Sequence, residues 1–237
     1  MRTICVVTAT RAEYGLLRPV VQKLAASPAL RLQLVATGAH LCPRLGETVR
    51  EIEADGVPIA ARLPIFIGDE NEPVAVTIAR TLTVFDAYFA AHRPDAVLLL
   101  GDRFEIFAVA TAAAARHIPI AHISGGDVTL GAADEYYRHC ITKMAAVHFP
   151  SCADSAARLV RMGEAPETVF CVGGLGDENI RTLPKMSREE LCTSTGLPLQ
   201  QPFALVTYHP ETSADAGSPA AQSEALAMLA EDPLLQA

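Results

Sequence analysis

Residues 96–100, Ala-Val-Leu-Leu-Leu, form an unbroken apolar run that stops at Gly101-Asp102-Arg103. A strand with one wet face alternates apolar and polar residues, so a run without alternation predicts a strand buried on both faces. Such strands belong to parallel sheets, because each parallel neighbour needs a crossover that lays a helix over the sheet. The rest of the chain keeps this cadence. Short β-branched runs at residues 3–8, 32–37, 63–67, 118–123, 147–149 and 169–172 alternate with helical spacing at residues 12–26, 43–55, 73–91, 104–115 and 133–145. The expected fold class is α/β, a Rossmann-like parallel sheet with helices on both faces and right-handed crossovers.

Composition supports a doubly covered sheet. Half the residues are hydrophobic, 19% are charged and tryptophan is absent, so the core must be built from Ala, Leu, Val and Ile. The formal net charge of −8 argues against a general nucleic-acid binder or an anionic-membrane binder, which would need a basic surplus. An anionic small molecule needs only a few local Arg, Lys or backbone N–H donors and stays compatible. The six cysteines show no CxxC and read as scattered reduced thiols, which points to the cytoplasm. The apolar start, residues 3–8, is far too short for a membrane span and reads as the first strand.

In an open parallel sheet, ligands bind beyond the carboxyl ends of the strands. Arg11 and His40 follow the first two strands, and Asp102 and Arg103 follow the run at 96–100. His122 lies in the next strand and Asp127 just beyond it. Asp102 suits an acid or base, and equally an N-cap for the helix starting at Phe104. Arg103 suits a phosphate, and equally an ion pair with Glu105. Gly125-Gly126 suits either a close approach to a ligand or a plain turn. Asp134, Arg138 and Thr142 fall at i, i+4 and i+8 on one helical face, with Glu135 and His139 on another. That helix is either a solvated, salt-bridged one or one whose first turn faces the crevice. His209, held extended by Pro210, sits in a strand-end loop at a domain seam. The histidines show no HxxxH or HExxH spacing, and there is neither a Walker loop nor a complete dinucleotide fingerprint at Gly173-Gly174-Leu175-Gly176.

Taken in order, several stretches resemble one family. They are Thr10-Arg11-Ala12-Glu13-Tyr14-Gly15, Gly101-Asp102-Arg103-Phe104-Glu105 and His122-Ile123-Ser124-Gly125-Gly126-Asp127. Asp134-Glu135, Arg138-His139-Cys140-Ile141-Thr142-Lys143-Met144, Val172-Gly173-Gly174-Leu175-Gly176 and His209-Pro210-Glu211-Thr212 continue the set. The chain resembles the hydrolysing UDP-N-acetylglucosamine 2-epimerases of sialic-acid biosynthesis. That resemblance implies a GT-B-like architecture of two Rossmann-like domains facing a cleft. It also implies conversion of UDP-N-acetylglucosamine and water to N-acetylmannosamine and UDP through a 2-acetamidoglucal, with no metal or nicotinamide.

By resemblance, Asp102, Asp127 and Asp134 are acid/base candidates and Arg138 is a site organiser or substrate clamp. His209 would contact the leaving diphosphate or donate its proton. Arg11, Arg103 and Glu211 are assigned to substrate binding. Many relatives carry Glu where this chain has Asp127, which withdraws the carboxylate by one methylene. The expected domains are residues 1–184, a linker at 185–202 where prolines interrupt a short polar helix, and the opening of a nucleotide-binding domain at 203–237. The second domain is expected to be incomplete, which favours as an alternative a chain that binds a nucleotide sugar or a partner without turnover. A further alternative is a UDP-linked 2,4-diacetamido substrate for legionaminic-type acids. The expected partner is a UDP-sugar, with no nucleic acid or membrane, and with a homo-oligomer left open.

Overall fold

The computed structural model describes residues 1–68, 72–198, 203, 205, 223, 224 and 226–228. It divides into two compact units, Met1–Thr129 with Asp134–Arg181, and Leu130–Ala133 with Thr182–Ala237.

The first unit is a six-stranded parallel sheet with strand order β3-β2-β1-β4-β5-β6. The strands are β1 Arg2–Thr8, β2 Leu30–Thr37, β3 Ile59–Leu63, β4 Ala96–Leu100, β5 Ile120–Ile123 and β6 Val147–Phe149. Between them run helices α1 Arg11–Ala26, α2 Val49–Ala54, α3 Val74–Ala91, α4 Phe104–Ala115 and α5 Asp134–Met144, with α6 Ala153–Arg161 and α7 Leu175–Thr182 after β6. Every residue of β4 beyond Ala96 is buried, and successive residues enter opposite cores. Val97 and Leu99 meet Phe85 and Phe89 of α3 with Ile106 and Val109 of α4. Leu98 and Leu100 instead join Tyr14, Leu17 and Val21 of α1 and Ile52 of α2. Two covered faces explain why the sequence shows no alternation there.

By length and composition α3 is apolar enough to cross a membrane. Its Phe85, Tyr88 and Phe89 are spent on the sheet, as in any cover helix of a doubly wound fold.

Two expected strands are corrected. β3 lies at Ile59–Leu63 rather than 63–67, because Pro64 cannot donate the ladder hydrogen bond that would continue it. Residues 169–172 form no ladder, only an isolated bridge between Val169 and His148. The Phe170 and Val172 amides do bond to the carbonyls of His148 and Pro150. Pro150 has no N–H to return, so the pairing stops there.

The second unit contains helix α8, Arg188–Thr195. It opens with a capping box between Ser187 and Glu190 and closes on Gly196 in the left-handed conformation. His209 and Glu211 lie outside the described residues, as do Ala204, Val206 and Thr207 of the strand expected there.

Candidate active site

β1 and β4 are neighbours, yet α1 packs on one face of the sheet and α4 on the other. The diverging helix starts leave a crevice at the carboxyl edge of the strands, the switch point at which doubly wound sheets bind ligands. A cleft of about 300 Å³ opens there. It is lined by Thr10 and Glu13 from α1 and its cap, by Gly101, Asp102 and Arg103 after β4, by Ser124 and Asp127 after β5, and by Arg138 of α5.

Arg138 organises this cleft. It is 5% exposed, and its guanidinium reaches four groups. Nη2 donates to Asp102 Oδ2 and to Thr129 Oγ1 at 2.8 Å. Nη1 donates to Glu135 Oε2 at 2.9 Å and to the Asp127 carbonyl at 3.1 Å. Burial holds the Arg138 pKa below the ordinary arginine value. The fork thereby fixes both carboxylate-bearing loops to α5. On this helix Arg138 and Thr142 are buried rather than solvated, while Glu135 forms the intrahelical salt bridges of the other reading, with Arg138 and His139. Asp102 is likewise not the N-cap of α4, a position occupied by Arg103.

Asp127 is oriented from the other side. Its Oδ1 accepts from Ser155 Oγ at 2.6 Å and from Ser151 Oγ at 3.0 Å, both at the start of α6. The two glycines before it are required by packing. A Cβ on Gly125 would lie 2.9 Å from His122 Nδ1, and one on Gly126 would lie 2.5 Å from the Ser155 carbonyl oxygen. Gly126 also sits at φ +82°, and Ser124 at φ +62° is a non-glycine residue in the same left-handed region. The loop is thus pressed onto α6, with a strained residue facing the cleft.

His122 is fully buried under this loop. Its Nε2 lies 2.8 Å from the Gly101 carbonyl and its Nδ1 lies 3.3 Å from Thr142 Oγ1 of α5. Burial pushes its pKa down to about 4, so at neutral pH Nε2–H donates to Gly101 and the ring ties the β4 loop to α5. His40 is buried in the same way, between Thr8 and Thr48 hydroxyls, with its pKa also pushed down to about 4 by burial.

Arg103 lines the cleft while pairing with Glu105 at 2.8 Å. Burial opposes its charge, but Glu105, Glu13 and Asp134 outweigh this and raise its pKa above the ordinary value. Asp134 is half-buried at the start of α5 and acts on the cleft through Arg103. Arg11 is turned outward, pairing with Glu51 at 2.7 Å, and does not line the cleft. Sequence reasoning missed Glu13, Ser151 and Ser155 as site residues. Only Glu13 carried a signal, the Thr10-x-x-Glu13 capping pattern immediately after β1.

Fold and cleft together define an α/β protein of the doubly wound class, with carboxylates and arginines at its switch point. The chain belongs to the UDP-N-acetylglucosamine 2-epimerase family, whose profile matches residues 22–236. It is 37% identical over 212 residues to the GDP/UDP-N,N'-diacetylbacillosamine 2-epimerase (hydrolyzing) of Campylobacter jejuni, covering 89% of this chain and 55% of that protein. It is 38% identical to the polysialic acid biosynthesis protein P7 of Escherichia coli, covering 90% and 54%. The chain therefore spans about half the length of the curated relatives it matches. Among solved structures, the UDP-N-acetylglucosamine 2-epimerase of Rickettsia bellii superposes with a TM-score of 0.70 at 23% identity, over 83% of this chain and 52% of that one. This likeness establishes the fold.

Proposed function

We propose that this chain carries the catalytic-carboxylate domain of a hydrolysing nucleotide-sugar 2-epimerase, converting UDP-N-acetylglucosamine and water to N-acetylmannosamine and UDP. The observation that carries this reading is the convergence of Asp102, Asp127 and Arg138 on one cleft at the switch point. Removing a weakly acidic C–H needs a positioned base, and expelling a diphosphate needs charge neutralisation.

In this scheme a carboxylate takes the proton from sugar carbon 2. The released electron pair forms the C1–C2 double bond as the C1–O bond to UDP breaks, leaving a 2-acetamidoglucal. Water then adds its hydroxyl to carbon 1, and carbon 2 is protonated on the opposite face. Asp102 and Asp127 share the acid and base work, and Asp134, outside the cleft lining, is assigned a supporting role through Arg103. Arg138 holds Asp102 in place, and Arg103 faces the leaving diphosphate. His209 and Glu211 are assigned to the nucleotide side, within a second domain opening at residues 203–237. Arg11 would reach the nucleotide only by leaving Glu51. The scattered cysteines without a CxxC support a cytoplasmic setting for this reaction.

Incubation of the protein with UDP-N-acetylglucosamine in D₂O, followed by NMR, should show UDP release and free N-acetylmannosamine deuterated at carbon 2. Intact UDP-sugar as the product would refute hydrolysis, and no turnover of any 2-acetamido UDP-sugar would refute the epimerase reading. A second substrate, a UDP-linked diacetamido sugar, is favoured by the name of the Campylobacter relative. Turnover on that sugar alone would select it.

A further inference from the structure

The two arginines that line the cleft differ in what they have left to donate. The terminal nitrogens of Arg138 already carry four hydrogen bonds within the protein. Arg103 is bonded along one edge alone. Its Nε at 3.2 Å and its Nη2 at 2.8 Å both donate to Glu105 Oε1, and among the described residues nothing accepts from its Nη1. A guanidinium is a rigid planar set of five N–H donors. Pinning the Nε–Nη2 edge therefore leaves the Nη1–Nη2 end as a second fork, on a side chain that is 42% exposed.

Glu105 lies outside the cleft lining, as the second residue of α4, and is fully buried. Its other oxygen, Oε2, is buried without a hydrogen-bond partner. Releasing Arg103 would thus strand a bare carboxylate in the core, which holds the pair together. The guanidinium also lies over the Phe104 ring, 5.8 Å from its centre, a further restraint on its rotation. The remaining charged groups of the lining are Glu13, Asp102 and Asp127, all carboxyl groups. An anion entering among them must be held at one defined point, and a swinging arginine would not define one.

We infer that Glu105 is a positioning residue, a buried acid that pins one edge of Arg103 so that the opposite end meets an oxyanion in the cleft. Naming that oxyanion as the leaving diphosphate rests on the epimerase reading; the pinning does not.

Charge and position forecast opposite signs. Glu105 is itself an anion, so if it acted through charge alone its removal would tighten anion binding. If it positions Arg103, removal weakens binding. Calorimetric titration of the 237-residue chain with inorganic pyrophosphate reads the sign. Glu105→Gln should bind roughly tenfold more weakly than the unaltered chain, the scale of one charge-assisted hydrogen bond. Equal or tighter binding would overturn the positioning role, and so would no binding by the unaltered chain. In protein labelled with ¹⁵N-arginine, the Nε–H resonance that is lost in Arg103→Lys should exchange slowly with solvent, and quickly in Glu105→Gln. Fast exchange in the unaltered chain would show that the edge is not pinned. Arg103→Lys also keeps a point charge opposite Glu105 while deleting the fork, so it should lose pyrophosphate affinity to a similar degree. Undiminished binding there would overturn the fork even where Glu105→Gln fails to fold. None of these readouts uses turnover, so inactivity towards every UDP-sugar would remove the diphosphate assignment and leave the pinning decided by pyrophosphate.

Discussion

Replacing Arg138 with Met tests how far the cleft is held by one side chain. The substitution keeps the stem that packs in α5 and deletes four donor contacts, two of them to carboxylates. Breaking a buried charge pair costs about 3–5 kcal/mol when the partner stays buried. Asp102 and Glu135 side chains are each 23% exposed, so water relieves part of that penalty. Weighing these gives about 3 kcal/mol, at the low end of the buried range. For a chain of this size that corresponds to a fall in melting temperature of roughly 6–12 °C. Urea unfolding followed by circular dichroism would measure it. The Arg138→Met/Asp102→Asn double variant should recover about 1–2 kcal/mol of the loss, since the stranded carboxylate is gone. A single variant within 0.5 kcal/mol of the unaltered chain, or a double variant whose loss is simply additive, would refute the clamp.

Other perturbations have equally definite outcomes. Gly126→Ala should destabilise by about 2–4 kcal/mol in urea unfolding, because it adds left-handed strain to a collision with α6. Gly15→Ala, in open space on α1, should instead stabilise by about 0.5–1 kcal/mol. Between pH 7 and pH 5, His122 and His40, whose pKa values are depressed to about 4, lose stability as the unfolded chain takes up protons they refuse. Glu13, raised to about 7, works in the opposite sense, gaining stability as pH falls through that window. From these three groups the unaltered chain should therefore lose about 1.5 kcal/mol on acidification to pH 5, and Glu13→Gln about 4 kcal/mol, as read from unfolding midpoints at the two pH values. Asp102→Asn or Asp127→Asn should each lower the rate of UDP release by about 10²–10⁴-fold, with the fold intact by circular dichroism. Undiminished release would remove the residue from the reaction.

What was legible in the sequence follows from what periodicity reports. β4 and α4 were readable to the residue because burial on both faces and an alanine-rich helix leave no competing pattern. β3 was misplaced because its apolar residues continue past Pro64, where the backbone cannot pair. Arg138 and Thr142 were placed on one face by their spacing, and both are buried. The partners of that face were not readable, since Asp102 and Thr129 reach it through the fold rather than along the helix. Arg103 kept its structural partner Glu105 while also lining the cleft. Ser151 and Ser155 gave no signal, because small polar residues at a helix start are commonplace. Glu13 hid behind an ordinary capping pattern. Only the three-dimensional divergence of α1 and α4 at the switch point shows that this particular cap is buried.

The way Asp127 is held has a consequence for anyone seeking to retune this protein. Its carboxylate hangs from two hydroxyls of a neighbouring helix, on a loop pressed so tightly against that helix that position 126 admits no side chain. The reach of the acid therefore cannot be altered by bending the loop. It can change only through side-chain length at 127, together with what stands at 151 and 155. A mutant library that varies 127 alone would sample mostly unsupported acids, whereas one that varies the three positions as a single unit would move a supported carboxylate on an unchanged scaffold.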